Sequence, residues 1–245
     1  MIITVSSLKG GVGKTTIAAF LAQALAARGM RVLVVDLDHN NNLTDYCLRN
    51  YEAEDIDARN IRHVLNGSVK IDSAIWLGMQ PEGDARALDI IPATPSLATV
   101  GLEMARDPAG VLRLRSGLRR LDYDHVIVDT PPALTLELTA GLYAADLVLV
   151  PVSASRWTVQ GYQVIEGEVS RVEDAGLAVP RMLAVPSMVS EVEAASIREV
   201  PIWRATAASI RRDPSIRSAA SEGRALRDGT HGAEWFAALA AEVVG

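Results

Sequence analysis

The chain has 245 residues, 24 Lys and Arg against 30 Asp and Glu for a formal net charge of −6, and 49% apolar residues, the profile of an ordinary soluble globular protein. No apolar run approaches the ~20 residues of a membrane-spanning helix. The single cysteine, Cys47, excludes an internal disulfide and a zinc or iron–sulfur site built from one chain.

In chain order, Met1-Ile2-Ile3-Thr4-Val5-Ser6 lacks the basic start and small-residue cleavage site of a secretion signal. It reads as a first strand, Ile2 to Val5, and the protein is expected in the cytoplasm. A Ser/Gly-rich loop follows, then an Ala/Leu-rich helix from Thr15 to Arg28 that stops at Gly29. Arg31 to Val35 is a continuous apolar strand closing on Asp36-Leu37-Asp38, with the polar stretch His39-Asn40-Asn41-Asn42 behind it. Leu88 to Ile91, Tyr123 to Val128, Ala145 to Val150 and Arg181 to Val185 repeat the short apolar strand. Helical stretches are expected around Ile61 to Leu65, Ala109 to Leu121 and Val159 to Ala175. This alternation predicts a doubly wound, mostly parallel α/β sheet with helices on both faces, in one domain spanning 1–245.

Only three of the 24 basic residues are lysines, and two of them, Lys9 and Lys14, share one glycine-rich loop. Lys9-Gly10-Gly11-Val12-Gly13-Lys14-Thr15-Thr16 is a variant of the phosphate-loop pattern, set between a strand and a helix as that chemistry requires. Gly10, Gly11 and Gly13 let consecutive backbone N–H groups face an anion, and the following helix adds its positive end. Lys14 is expected to bridge the β- and γ-phosphates, the Thr15 hydroxyl to ligate Mg²⁺, and Thr16 to donate to the α-phosphate. Asp36 and Asp38, spaced by two at a strand end, are expected to face the same side near the γ-phosphate. His39 reads as a surface histidine, because phosphoryl transfer needs positioning more than proton abstraction.

Complete from Lys9 to Thr16, the loop resembles the deviant Walker A motif K-G-G-x-G-K-[ST]-[ST] of the ParA/MinD/Soj ATPases. The resemblance covers nearly the whole chain, is strongest over Met1 to Asp38 and Tyr123 to Val152, and is weak between Asn50 and Leu88. It implies a P-loop NTPase fold and an ATP-sandwich homodimer, in which Lys9 reaches the partner's nucleotide. By the same resemblance Asp38 positions the attacking water and Asp36 supports the metal side. Asp129-Thr130-Pro131-Pro132 resembles the Walker B and second switch, with Asp129 reaching Mg²⁺ through water. His39-Asn40 replaces the family's usual Pro-Gln.

Between Ser196 and Asp228 seven arginines, among them Arg198, Arg211, Arg212, Arg217 and Arg224, face four acids, a local reversal of the overall charge. Such a segment suits sequence-independent binding of double-stranded DNA, and suits an ordinary solvated surface nearly as well. Ile216 to Arg224 also resembles the C-terminal V-R-L-x-E-A-x-x-x-G-[KR] segment of ParA without its Leu and Glu. The last helical stretch, Ala233 to Val244, carries no Lys or Arg, so it lacks the electrostatic half of the MinD-type membrane anchor and is expected to dock through Trp235 and Phe236. Electron donors on this fold need paired cysteines, and Cys47 alone falls short; it reads as a small core residue. The expected function is therefore a ParA-like, nucleoid-associated partition ATPase using ATP/ADP and Mg²⁺, stimulated by a ParB-like centromere-binding activator and not bound to membrane. The alternatives are an ATPase that positions a protein cargo, a MinD-like spatial regulator, or a non-hydrolysing dimeric scaffold.

Overall fold

Apolar runs with almost no polar interruption form the middle of one eight-stranded sheet. The computed structural model describes residues 1–78, 88–104, 107 and 109–245. The strands are β1 (Ile2–Val5), β2 (Val32–Asp36), β3 (Trp76–Leu77), β4 (Asp89–Ile91), β5 (His125–Asp129), β6 (Leu147–Val152), β7 (Arg181–Val189) and β8 (Ile210–Arg211). They lie in the order β3-β4-β2-β5-β1-β6-β7-β8. All neighbours are parallel except the β3–β4 pair at the edge. Every residue of β1, β2, β5 and β6 is buried, as expected of parallel strands covered on both faces.

The helices are α1 (Lys14–Ala27), α2 (Asn42–Cys47), α3 (Ala53–Ala58), α4 (Ile61–Leu65), α5 (Val100–Met104), α6 (Gly110–Leu118), α7 (Leu136–Ala144), α8 (Arg156–Asp174), α9 (Glu191–Arg198), α10 (Pro214–Glu222) and α11 (His231–Val244). Alternation along β2 divides the interior. Val32 and Val34 pack with α1, α2 and α11, while Leu33 and Val35 pack with α4, α6 and α7. A third cluster joins α7, α8 and α9 over β6 and β7 through Leu138, Leu142, Tyr162 and Ile165.

The strands and helices read from sequence are all present, with shifted ends: α8 starts three residues before Val159, and β7 runs on to Val189. Two strands were not expected. β3 and β8 are two residues long, too short for an alternating pattern, and pair only because a neighbouring strand offers an edge. Within the segment between Asn50 and Leu88, residues 79–87 lie outside the described residues. Cys47 is buried at the end of α2, in the core position expected of it.

Helix α11 docks as its aromatic pair suggested. Thr230 caps it by accepting from Ala233 N at 3.3 Å, Phe236 is buried with its ring centroid 5.4 Å from that of Phe20, and Trp235 lies under the Arg211 guanidinium at 5.5 Å. No helix among the described residues is long and apolar enough to cross a membrane. Phe236 is the main plug between α11 and α1. Truncation in Phe236→Ala should cost about 3–5 kcal/mol, measured as a lowered urea midpoint at unchanged slope; a midpoint equal to that of the parent would mean that α11 is not part of the cooperative unit.

Candidate nucleotide site

The loop between β1 and α1 leaves the carboxyl edge of the sheet, where β1 lies between β5 and β6 and open α/β folds form their ligand crevice. Gly11 (φ 71°) and Gly13 (φ 87°) occupy the left-handed region that side chains disfavour. A Cβ on Gly13 would also stand 3.1 Å from Ser187 Oγ, which donates to Val12 O at 2.8 Å and ties the loop to β7. Gly13 begins α1 with no side-chain cap, whereas Thr135, Ser190, Asp213 and Thr230 cap α7, α9, α10 and α11. The first N–H groups of α1 are therefore available to an anion. They open on a cleft of about 780 Å³ whose near wall includes Gly10, Gly11, Gly13, Lys14, Thr15 and Thr16.

Asp36 and Asp129 end adjacent parallel strands in register, and Leu37 N donates to Asp129 O at 2.9 Å. Thr15 Oγ1 donates to Asp129 Oδ2 at 2.6 Å, while Asp129 Oδ1 is buried with no hydrogen-bond partner. Burial, and then the nearby Asp36 charge, push the Asp129 carboxyl up to about 8. Burial likewise raises Asp36, to about 7, against the opposing pull of hydrogen bonds from Asp38 N and Thr44. Lys14 is 8% exposed, and burial lowers its pKa against the attraction of Asp129 and Asp38.

The two strand-end carboxylates do not face the same way. β2 ends at Asp36, and there the chain turns: Asp36 Oδ1 accepts from Asp38 N at 3.0 Å and Oδ2 accepts from Thr44 N and Thr44 Oγ1 at 3.0 and 2.9 Å. Period-two alternation therefore stops at Asp36, and only Asp38 lines the cleft. Asp36 meets the Thr15–Asp129 pair through its charge and not through contact. Asp38 Oδ1 accepts from Asn40 N and Nδ2 at 3.0 and 2.8 Å. Thus Asn40, at the place of the family's Gln, anchors the carboxylate. His39 is exposed, its Nδ1 3.8 Å from Asp38 Oδ1.

A hydroxyl and a buried carboxylate with an unpaired oxygen form a hard oxygen donor set that fits Mg²⁺, which keeps waters and shares a substrate's phosphates. Among the described residues no cluster of three or more His, Cys, Asp or Glu side chains makes an all-protein metal cage. Thr15 and Asp129 are the residues that would hold the ion.

Residues 1–179 match a family profile described as an AAA domain. The chromosome partitioning protein ParA of Myxococcus xanthus is 36% identical over 162 residues, 65% of this chain and 54% of its own length. The chain belongs to the ParA/MinD/Soj family. It spans about half the length of that ParA relative. The maintenance of carboxysome distribution protein A of Synechococcus elongatus is 34% identical over 155 residues, 62% of this chain and 58% of its own length. The solved structure of apo McdA from Cyanthece is 26% identical, with a TM-score of 0.83 over 100% of this chain and 99% of that one; a McdA variant has been solved as an ATP complex.

Lys9 and the five arginines expected from the sequence to serve the site lie in different places. Lys9 lies outside the nucleotide cleft, in a smaller one of about 310 Å³ beside Trp157 and Tyr162. The five arginines are engaged in different ways. Arg211, Arg212 and Arg217 line the far part of the nucleotide cleft. Arg211 pairs with Glu191, and Arg212 Nε donates to Met188 O at 2.9 Å. Arg198 donates to Thr206 O and Ala207 O, closing its own loop, and Arg224 pairs with Glu222. Sequence reasoning missed Thr44 altogether and the contacts of Asn40 and Ser187; small polar residues carry no motif, and their partners become visible only when strand ends and loops converge.

A carboxyl raised by burial favours the fold while protonated, so its contribution is complete below the usual carboxylate range near 4 and is lost as pH rises through about 8. Asp129→Asn removes that titration. The nucleotide-free variant should melt above the parent, by a margin that widens from pH 5 to pH 8. A margin independent of pH would refute a buried, raised carboxyl at this position.

Proposed function

We propose that the chain is a ParA-type ATPase that binds MgATP, closes as an ATP-sandwich homodimer and carries cargo over the nucleoid by binding DNA without sequence preference. The observation that supports it most is the hydrogen bond from half-buried Thr15 to buried Asp129, which keeps one free carboxylate oxygen, under a glycine loop whose helix lacks a side-chain cap. In this reading the N–H groups of Gly10 to Thr16 and the Lys14 ammonium hold the phosphates. Thr15 and Asp129 hold the metal, which neutralises charge on the phosphates. Asp38, fixed by Asn40, orients the attacking water, and Asp36 keeps the Asp38 loop in place. Lys9 serves the partner's nucleotide, a role supported by its position outside its own cleft. Hydrolysis is slow and stimulated by a ParB-like centromere-binding partner, and the ADP form leaves DNA.

A second reading, positioning of a protein assembly in place of plasmid or chromosome, is favoured by the full-length likeness to McdA and by the carboxysome-distribution relative. Both readings use the same switch and differ only in cargo.

Asp38→Ala should bind ATP and dimerise while losing hydrolysis, read as phosphate release beside light scattering. Turnover at the parent rate would remove Asp38 from the role. Lys9→Ala should stay monomeric with ATP; persistent dimers would end the cross-interface assignment.

Co-sedimentation with non-specific duplex DNA at ~0.1 M salt should require ATP, and Arg224→Ala should lower the salt slope by roughly one. Because Arg217 and Arg212 line the nucleotide cleft, their alanine variants should weaken ATP binding as well. Absence of DNA binding in every nucleotide state would discard the DNA surface and leave a positioning ATPase that acts through protein partners.

A further inference from the structure

Helix α2 stands between the Asp38 loop and α10 and is hydrogen-bonded to both sides. Thr44 donates through N and Oγ1 to Asp36 Oδ2, and its hydroxyl accepts from Ala93 N at 2.9 Å, which fixes that face of α2 to the segment after β4. Two residues on, and so on a different face, Tyr46 is 4% exposed and lies edge-on to Phe20 with ring centroids 5.7 Å apart. The Tyr46 hydroxyl accepts from Gln23 Nε2 and donates to Arg224 O at 3.0 Å. Just beyond α2, Arg49 Nη2 donates to Ser221 O and its guanidinium lies against Gly223, where a Cβ would overlap it. Gly223 is the left-handed end of α10 (φ 62°). The turn after α10 is therefore held by two side chains that belong to the switch helix and its exit.

We propose that α2 is a strut that carries the state of the Asp38 loop to residues 222–228, with Tyr46 as the positioning residue. Asp36 is fully buried, and its carboxylate cannot release the Thr44 donors without leaving buried acceptors unpaired. A shift of the Asp38 loop when a γ-phosphate arrives is thus passed to Thr44 and tilts α2 about the face anchored at Ala93. Tyr46 then moves with it, and the Arg224 carbonyl follows the hydroxyl. The segment reached carries Arg224 and Arg227, which lie outside the residues lining the nucleotide cleft. The DNA end of this strut rests on the reading of these arginines as a DNA surface; its protein end does not.

Tyr46→Phe removes the hydroxyl and keeps the ring against Phe20. Hydrogen exchange would be followed in the full-length parent and variant, with and without Mg²⁺ and a slowly hydrolysed ATP analogue. In the parent, nucleotide should protect both residues 10–16 and residues 222–228. In Tyr46→Phe the protection of 10–16 should persist while that of 222–228 falls about two- to tenfold, the range of one hydrogen bond. A parent with no response at 222–228, or a variant that responds like the parent, would overturn the strut. Tyr46 also lines the nucleotide cleft, so ATP affinity is measured in the same variant: the ratio of DNA affinity with ATP to that with ADP, each at saturating nucleotide, should shrink by a similar factor. A parent that relays protection to 222–228 and binds DNA in no state would refute the DNA reading and support the strut as a protein device alone.

Discussion

The structure is arranged around three carboxylates that the Lys14 ammonium only partly offsets. Asp36, Asp38 and Asp129 come together at the carboxyl ends of β2 and β5, with Asp36 and Asp129 almost wholly out of water. Lys14 lies within reach of their charge and is itself pulled toward neutrality by burial. Burial is the main cause that raises the pKa of Asp36 and Asp129, and the neighbouring carboxylates raise both further. A divalent cation arriving with phosphates would relieve this repulsion, the metal at Thr15 and Asp129 and the phosphates at Lys14 and the bare start of α1. Ligand binding and local stability are thus one electrostatic problem, and the parallel sheet is what holds the carboxylates close enough to create it.

The fold supplies that proximity by register. Asp36 and Asp129 are paired positions on hydrogen-bonded strands, and Val5, the last residue before the phosphate loop, pairs with Asp129 on its other side. Thr130 Oγ1 then donates to Val5 O at 3.0 Å, and Ser187 reaches the loop from β7. The loop is held on both flanks by strands distant in sequence, so its glycines can adopt left-handed geometry without leaving the loop free to relax.

Much of this was legible in the sequence because the informative residues are local. The Lys9 to Thr16 loop states its own chemistry, and Asp129 announces itself by ending an uninterrupted apolar strand. What stayed hidden depends on convergence. That Asp36 turns toward Thr44 and away from the cleft follows from where β2 ends, a boundary no alternation rule fixes. The run of arginines between Ser196 and Asp228 reads as one charge patch along the chain. Folding divides it, because α9, β8 and α10 present successive residues to a loop carbonyl, to Glu191, to the cleft or to solvent. Sequence charge counts cannot see that partition. The departure at His39-Asn40 was visible as a departure, but its consequence, an Asn whose amide and backbone both hold Asp38, required the turn itself.

The scarcity of lysine fits the same division of labour. This chain uses arginine for nearly every cation, and its planar fork suits the ion pairs that brace the surface, such as Arg62 with Glu103, Arg31 with Asp122 and Arg119 with Asp146. Two of the three lysines, Lys9 and Lys14, stand on the loop that suits a compact charge on a flexible stem. An arginine at position 14 would bring five donors into a pocket where burial already works against a single ammonium, and would crowd the gap between Asp38 and Asp129. A small point charge asks for fewer bonds beside those carboxylates and would leave its donors to phosphates. On that argument the choice of Lys14 over arginine is set by the need for a cation whose bonds are left to be made by the ligand.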